Sequence, residues 1–320
     1  MVVKSSAIKP DNSVLRKGKL ALANAKINLS IDVLGIRESD GYHLVRMIMQ
    51  QIPLYDRLFF FLGEDGKLLP ESTRIDDNIS LACNMRKLPL NEKNLVYRAA
   101  RQLFDLFKET FEYEKLTIYI EKHIPSGGGL GGGSADGAAV LRAINNIYTL
   151  GMSLDQLEEQ AKKLGSDVPF MIRGGAGLAE GTGTDLSKLR PLKKGTLLLV
   201  NPNKFLSTER VYATLDAMEI PASAHPDTEL LIHALEAQDL RLFAENMKNV
   251  LEEASIRLCP QIGELKADIL AAGALGAMMS GSGSTVFGLF EDPELAQEAM
   301  KAFRSRGLFA TATGLANPYL

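Results

Sequence analysis

Between Pro125 and Ser134 the chain reads Pro-Ser-Gly-Gly-Gly-Leu-Gly-Gly-Gly-Ser, six glycines within ten residues. Glycine loses more conformational freedom on ordering than any other residue, so a plain connector gains nothing from such a run. Before it, Leu116, Ile118 and Ile120 alternate with Thr117, Tyr119 and Glu121 across Leu116 to Lys122, the period of a strand. After it, Ala138, Leu141, Ile144 and Asn145 fall on a helix that the spacing starts near Ser134 and ends at about Leu150. A strand, a glycine loop and a helix in that order let backbone N–H groups and a helix N-terminus converge on an anion. Main chain without side chains also admits a polyphosphate closely. A flexible turn is the plain alternative.

Two familiar phosphate loops fit poorly. Gly127, Gly129 and Gly132 satisfy the spacing of a dinucleotide fingerprint, but the acidic residue expected about 20 residues on is missing, Asp155 falling in the first turn of a helix. A Walker loop needs lysine where Gly133 stands. Positive charge must come from elsewhere, and Lys26 is a candidate. From Leu20 onward Ala25, Ile27, Leu29, Ile31 and Val33 share one face of a strand, while Lys26, Asn28, Ser30 and Asp32 share the other. A lysine among Asn24 and Asn28 on an interior strand needs an anionic partner, and on an outer strand it is an ordinary solvated side chain.

Gly35 ends that strand and Asp40-Gly41 marks a turn, followed by Tyr42, His43 and an apolar stretch through Met49, Ile52 and Leu54. A helix is expected from about Asn91, with Leu95, Ala99, Leu103 and Leu106 on one stripe. Another opens at Ser153, with Gln156 three residues on as in a capping box, and stops at Gly165. Asp167 follows it, the position of an ordinary turn former. Gly174, Gly175, Gly177, Gly181 and Gly183 read as a turn-rich passage. Thereafter the pattern predicts a strand from Thr196, helices near 239–253 and 262–272, a strand over 285–290 and a helix over 293–306. The fold class is α+β with mixed or antiparallel sheets.

With 320 residues, 46% of them apolar, the chain exceeds what one core usually serves, and two domains are expected. Lys plus Arg is 36 and Asp plus Glu 39, a net charge of −3 with no long run of either sign, which argues against nucleic acid or an anionic membrane as partner. Cys83 and Cys259 lack the spacing of a zinc site or disulfide framework, and no apolar segment of signal-peptide or membrane-span length follows the basic N-terminal residues. A cytoplasmic protein is expected.

Five segments occur in order: Ala25-Lys26-Ile27-Asn28-Leu29, Asp40-Gly41-Tyr42-His43, the glycine loop, Gly165-Ser166-Asp167-Val168-Pro169, and Met279 to Phe287 with its Ser-Gly-Ser-Gly-Ser core. Together, over roughly Leu20 to Asn317, they resemble the GHMP kinase superfamily. The Asp-Gly-Tyr-His and Ser-Asp-Val-Pro segments resemble its branch that phosphorylates a cytidine-diphosphate-linked polyol on the non-mevalonate route to isoprenoid precursors.

The resemblance implies a two-domain GHMP kinase fold, with an ATP-binding and catalytic part over 1–190, its first 19 residues a lead of no assigned role, and a C-terminal domain over 191–320. It implies Lys26 and Asp167 as the catalytic pair. ATP would be held by Asn94 near the adenine and by Pro125, Gly127, Gly128, Gly129, Leu130, Gly131, Gly132, Gly133 and Ser134. The small-molecule cytidine diphosphate substrate would meet Asn28, Tyr42, His43, Thr208 and Tyr212, with Tyr212 across the base from Tyr42. Mg²⁺ would accompany ATP without a protein cage; Ala135 stands where a second hydroxyl commonly follows Ser134, which removes one contact to it. Other GHMP kinases, acting on homoserine, mevalonate or a sugar, and a ligand-binding member without catalysis are the alternatives; a hydrolase built on His43 or His123 has no nucleophile motif to support it.

Overall fold

Two long strands, β1 (Lys19–Ile36) and β2 (His43–Leu62), pair with each other and carry the chain between two compact units. The computed structural model describes residues 10–315 except 64–65, 67–68, 70–71 and 113. Residues 1–9 of the lead and the end beyond Leu315, Asn317 included, lie outside the described residues. The first unit comprises Met1–Asn24, Tyr55–Ile124 and Gly132–Arg173, the second Ala25–Leu54, Pro125–Gly131 and Gly174–Leu320. These units follow packing, whereas the division at 190/191 follows chain order.

The alternation along β1 suggests one apolar and one polar face, yet residues 23–32 are buried on both. The strand runs through Gly35 to Ile36 rather than ending at the glycine.

In the first unit the described part of the lead forms α1 (Asn12–Leu15), capped by the Asp11 carboxylate, which accepts from Ser13 N at 2.8 Å. Strand β3 (Thr73–Arg74) pairs with β4 (Ile79–Cys83), β4 runs parallel to β5 (Leu116–Glu121), and β5 is antiparallel to β2 from Arg57↔Glu121 to Leu62↔Leu116. Helices α2 (Leu95–Leu106), α3 (Lys108–Phe111), α4 (Gly132–Ile147), α5 (Leu154–Lys162) and α6 (Val168–Arg173) complete it. Helix α2 starts at Leu95, not Asn91, because Asn94 Oδ1 caps it by accepting from Val96 N at 2.9 Å. Its buried face is Val96, Ala99, Ala100, Leu103 and Phe104, and Leu106 is exposed.

The capping box of α5 forms as expected, Ser153 Oγ accepting from Gln156 N and Gln156 Oε1 from Ser153 N. Helix α4 begins two residues before Ser134 and ends three before Leu150. The short α6 was not foreseen; Pro169 fits its first turn, where a missing N–H costs nothing.

In the second unit Met47–Gln50 of β2 pairs with β6 (Ala176–Glu180), which forms a hairpin with β7 (Asp185–Leu189). The turn-rich passage is therefore this hairpin, with Gly181 and Gly183 at φ +64° and +91° turning it. Four further strands form an antiparallel sheet of order β11-β8-β10-β9: β8 (Thr196–Asn201), β9 (Gly276–Met279), β10 (Val286–Phe290) and β11 (Phe309–Gly314). Helices α7 (Thr208–Asp216), α8 (Thr228–Ala237), α9 (Leu240–Asn246), α10 (Glu252–Leu258), α11 (Gln261–Ala271) and α12 (Pro293–Ser305) accompany it. Leu198, Val200, Ile262, Ile269, Phe290 and Phe303 lie in one core cluster.

The helix expected over 239–253 is two helices. Residues between them leave helical geometry because Ile31 N donates to Lys248 O and Val250 N donates to Ile31 O, both at 3.0 Å. Sheet pairing with β1 wins over helix continuation. The turn so formed aims the Asn249 amide at the Met279 and Gly281 carbonyls, 2.9 Å each, while its oxygen accepts from Leu251 N. Among the described residues no helix is long and apolar enough to cross a membrane.

Asn249 is buried and joins two chain segments by three hydrogen bonds. Asn249→Ala is expected to destabilise the protein by about 2–4 kcal/mol, since it strands two buried carbonyls and an amide. Urea unfolding followed by circular dichroism measures this, and an unchanged midpoint would show that water replaces the side chain without loss.

Candidate active site

The polar face of β1 organises the second unit. Lys26 is 4% exposed, so the solvated-lysine reading fails, and its ammonium donates to Asn28 Oδ1. Lys26 N donates to Leu130 O at 3.0 Å, which ties the strand to the glycine loop. Asn28 N donates to Ser280 Oγ at 3.2 Å, and Ser280 Oγ in turn donates to Gly129 O at 3.0 Å. Thr285 N donates to Gly128 O at 3.2 Å. Three of the motifs singled out along the chain, the Lys26 strand, the loop and the Ser-Gly-Ser-Gly turn, are thus one hydrogen-bonded assembly.

This changes what the glycines are for. A Cβ on Gly129 would stand 2.0 Å from the Ser280 carbonyl oxygen, and one on Gly128 would stand 2.7 Å from both Asn201 Nδ2 and Thr285 Oγ1. Gly129 also sits at φ +77°. Bare main chain is needed here first for the approach of protein to protein. Loop residues Pro125–Gly131 belong to the second unit, whereas Gly132, Gly133 and Ser134 form the first turn of α4 in the first. First-turn N–H groups of an α-helix have no partner within the helix, which is the arrangement that suits an anion.

Along α7, Thr208, Tyr212 and Asp216 recur every four residues and share a face. Thr208 Oγ1 lies 2.8 Å from Ser282 Oγ. The Tyr212 ring packs on the His43 imidazole, centroids 4.4 Å apart, and His43 Nε2 lies 2.8 Å from Asp216 Oδ1. Tyr42, 65% exposed, is presented by a turn in which Arg37 makes a bidentate pair with Asp40, whose Oδ1 also accepts from Tyr42 N. Tyr212 therefore stands against His43.

In the first unit Asn94 is occupied locally: besides capping α2 its amide donates to Pro89 O at 2.8 Å. Asp167 directly precedes α6 and its carbonyl accepts from Met171 N at 3.2 Å.

The family model described as GHMP kinases N terminal domain matches residues 94–175, and that described as GHMP kinases C terminal matches residues 231–307. A 4-diphosphocytidyl-2-C-methyl-D-erythritol kinase of Clostridium novyi (strain NT) is 43% identical over 285 residues, 89% of this chain and 95% of its own. The chain belongs to this family of GHMP kinases. A relative of the same name from Syntrophomonas wolfei is 41% identical, over 91% of this chain and 96% of its own. A crystal structure of a 4-(cytidine 5'-diphospho)-2C-methyl-D-erythritol kinase superposes with a TM-score of 0.70 at 32% identity, covering 92% of this chain and 99% of that one. The homoserine kinase of Cytophaga hutchinsonii, at 21% identity and a TM-score of 0.69, covers 94% and 95% and shares the fold.

This GHMP kinase chain also carries a charged cluster that its motifs do not reveal. Beneath the first turn of α4 the Lys122 ammonium is held between Asp56 and Asp136, the latter at 2.7 Å, all three buried. Asp56 accepts as well from His123 N and Ile124 N, and Asn84 brackets the Lys122 main chain. The second oxygen of Asp136 meets no donor among the described residues. Burial pushes the Asp136 carboxyl up to about 8, with Lys122 pulling the other way. The sole sequence signal was polar residues at positions flanking apolar ones, too weak to join three sites so far apart. Asn249 and Asp216 carry no stronger signal, although the four-residue spacing from Thr208 through Tyr212 does point to Asp216, and Ser280 stands in a quoted motif without a role of its own.

Two outcomes follow from these contacts. Gly129→Ala should weaken ATP binding and lower stability together, by about 2–4 kcal/mol in unfolding, because the new methyl meets backbone at a strained φ; calorimetry with ATP and thermal unfolding check both, and intact stability with lost ATP affinity would return the glycine to phosphate contact alone. For Asp136, the folded-state pKa is raised, so its contribution is full below the ordinary carboxylate range and is lost as pH rises to about 8. The wild type should therefore lose stability relative to Asp136→Asn between about pH 5 and about pH 8 in urea unfolding, and a pH-independent difference would place the carboxyl's titration outside that window.

Proposed function

We propose that this chain transfers the γ-phosphoryl group of ATP to the 2-hydroxyl of 4-diphosphocytidyl-2-C-methyl-D-erythritol, a step of the non-mevalonate route to isoprenoid precursors. The observation that carries the reading is the buried assembly of Lys26, Asn28, the glycine loop and Ser280, in a chain 43% identical to a kinase named for that substrate. Residues 1–190 would supply ATP binding and catalysis and 191–320 the second family domain. The two cysteines are free, which fits the reducing cytoplasm.

Phosphoryl transfer asks for positioning and for neutralisation of charge on the moving group. The N–H groups of the loop and of the first turn of α4 would cradle the phosphates, with Pro125 and Leu130 shaping the loop and Asn94 beside the adenine. Lys26, buried and positively charged, would meet the transferring phosphate. Asp167 would accept the proton of the attacking hydroxyl. Asn28 and Thr208 would orient the substrate's polar groups, and Tyr42, His43 and Tyr212 would bind its cytosine.

Among the described residues no group of three or more His, Cys, Asp or Glu could hold a metal. Ser134, the hydroxyl at the start of α4, would help hold an Mg²⁺ that arrives with ATP. The ion would supply charge neutralisation.

Asp167→Asn should retain ATP binding while kcat falls by roughly 10²–10⁴-fold, the usual share of a general base. Lys26→Met should be nearly inactive. Both are checked by ADP release beside calorimetric ATP binding, and near-normal turnover in either would remove the assigned role. In a panel of alcohols the cytidine diphosphate polyol should be phosphorylated and homoserine, mevalonate and galactose left largely unused; efficient turnover of an alcohol lacking a nucleobase would overturn the substrate.

A further inference from the structure

A carboxylate at the last residue of a helix faces the negative end of the helix dipole and is locally unfavourable. Asp216 stands there in α7, and its partner is the imidazole of His43, Nε2 to Oδ1 2.8 Å. We propose that Asp216 is a positioning residue for base recognition: it holds His43 in the tautomer protonated on Nε2, so that Nδ1 presents a lone pair that accepts from the amino group of cytosine and rejects uracil. The inference rests on the reading that His43 meets the base.

The chemistry follows from the donor inventory. An ionised carboxylate can only accept, so the ring nitrogen it contacts must carry the proton and the other nitrogen of neutral imidazole becomes an acceptor. The ring is also kept from turning. Tyr212, one helical turn before Asp216, packs on it with centroids 4.4 Å apart and planes tilted by 38°. Helix α7 is itself pinned at its start, where Ser207 caps it and Thr208 meets Ser282. His43 is largely covered, its side chain 17% exposed against 44% for Asp216, so the contact sits on a restrained ring. Cytosine carries an exocyclic amino donor where uracil carries a carbonyl acceptor. Opposite an Nδ1 lone pair the first forms a hydrogen bond and the second sets acceptor against acceptor, which is discrimination by repulsion as well as attraction.

The test compares kcat/KM for the cytidine and uridine forms of the diphosphate-linked polyol in the full chain, with the His43 tautomer read from ¹⁵N chemical shifts. Asp216→Ala is expected to narrow the cytidine preference roughly tenfold and to change the Nε2 ¹⁵N shift as its hydrogen bond to the carboxylate is lost, with KM for ATP unchanged. Asp216→Asn keeps a carbonyl oxygen able to accept from Nε2 and should restore most of the preference. Asp216→Ala and Asp216→Asn both retaining the full preference and the Nε2–H signal would overturn the proposal. His43→Ala separates the two layers. If it abolishes the preference while Asp216→Ala does not, Asp216 has no role in recognition and the base reading stands; if it leaves use of the cytidine form untouched, the base reading itself fails, and the proposal with it.

Discussion

A lysine ammonium inside a protein has to be matched by oxygen atoms, and the placement of Lys26 sets the terms for much of the second unit. Its strand is covered on both faces, so every polar group on the row Asn24, Lys26, Asn28, Ser30 and Asp32 must be satisfied by protein. Ser280 answers Asn28, Ser30 Oγ accepts from Ile48 N, and His225 answers Asp32. The 247–251 stretch gives up helical geometry to pair with Ile31 on the same strand. The glycine loop closes the set through Leu130 and Gly129, and an inward-facing polar row becomes the frame on which that loop is hung.

The first unit meets a similar demand in another way. Lys122 between two buried aspartates leaves the trio with more negative than positive charge if both carboxyls ionise, and one oxygen of Asp136 with no donor among the described residues. Burying such a set is expensive, and replacing it by apolar residues is often no loss to stability. Its place offers a reason for keeping it: the cluster ties β2, the end of β5 and the second turn of α4 together directly below the N–H groups of Gly132 to Ser134.

How much of this was readable follows the range of each interaction. Local rules carried the strand before the glycine loop, the helix after it, the capping box at Ser153 and the pairing of Lys26 with Asn28 on one face, because each is decided within a few residues. The β6–β7 hairpin escaped because Ala176, Gly177 and Ala179 are small and show no strand periodicity, their burial being dictated by pairing to β2. The start of α2 lies at Leu95, where its apolar stripe begins and the Asn94 cap sets it, not four residues earlier at Asn91. Ser280, Asn249 and the Lys122 trio depend on residues brought together over long separations, for which the sequence holds no periodic signal. The roles given to Lys26, Asp167 and the cytosine-facing residues came from motif resemblance; the geometry adds burial for Lys26 and contacts for His43 and Tyr212, while Tyr42 is exposed.

The bond from Asn28 to Ser280 spans 252 residues. On a ribosome the polar row of β1 emerges ahead of its partner turn by roughly tens of seconds at ordinary elongation rates. Throughout that interval the Asn28 N–H of a strand meant for the interior waits for Ser280, and water receives it instead. That hydration is also protective, because a β-strand wetted along one edge of its side chains is a poor template for another chain. The same polar row that later anchors the glycine loop is thus a hydrated strand face, not a bare apolar one, until Ser280 has been made.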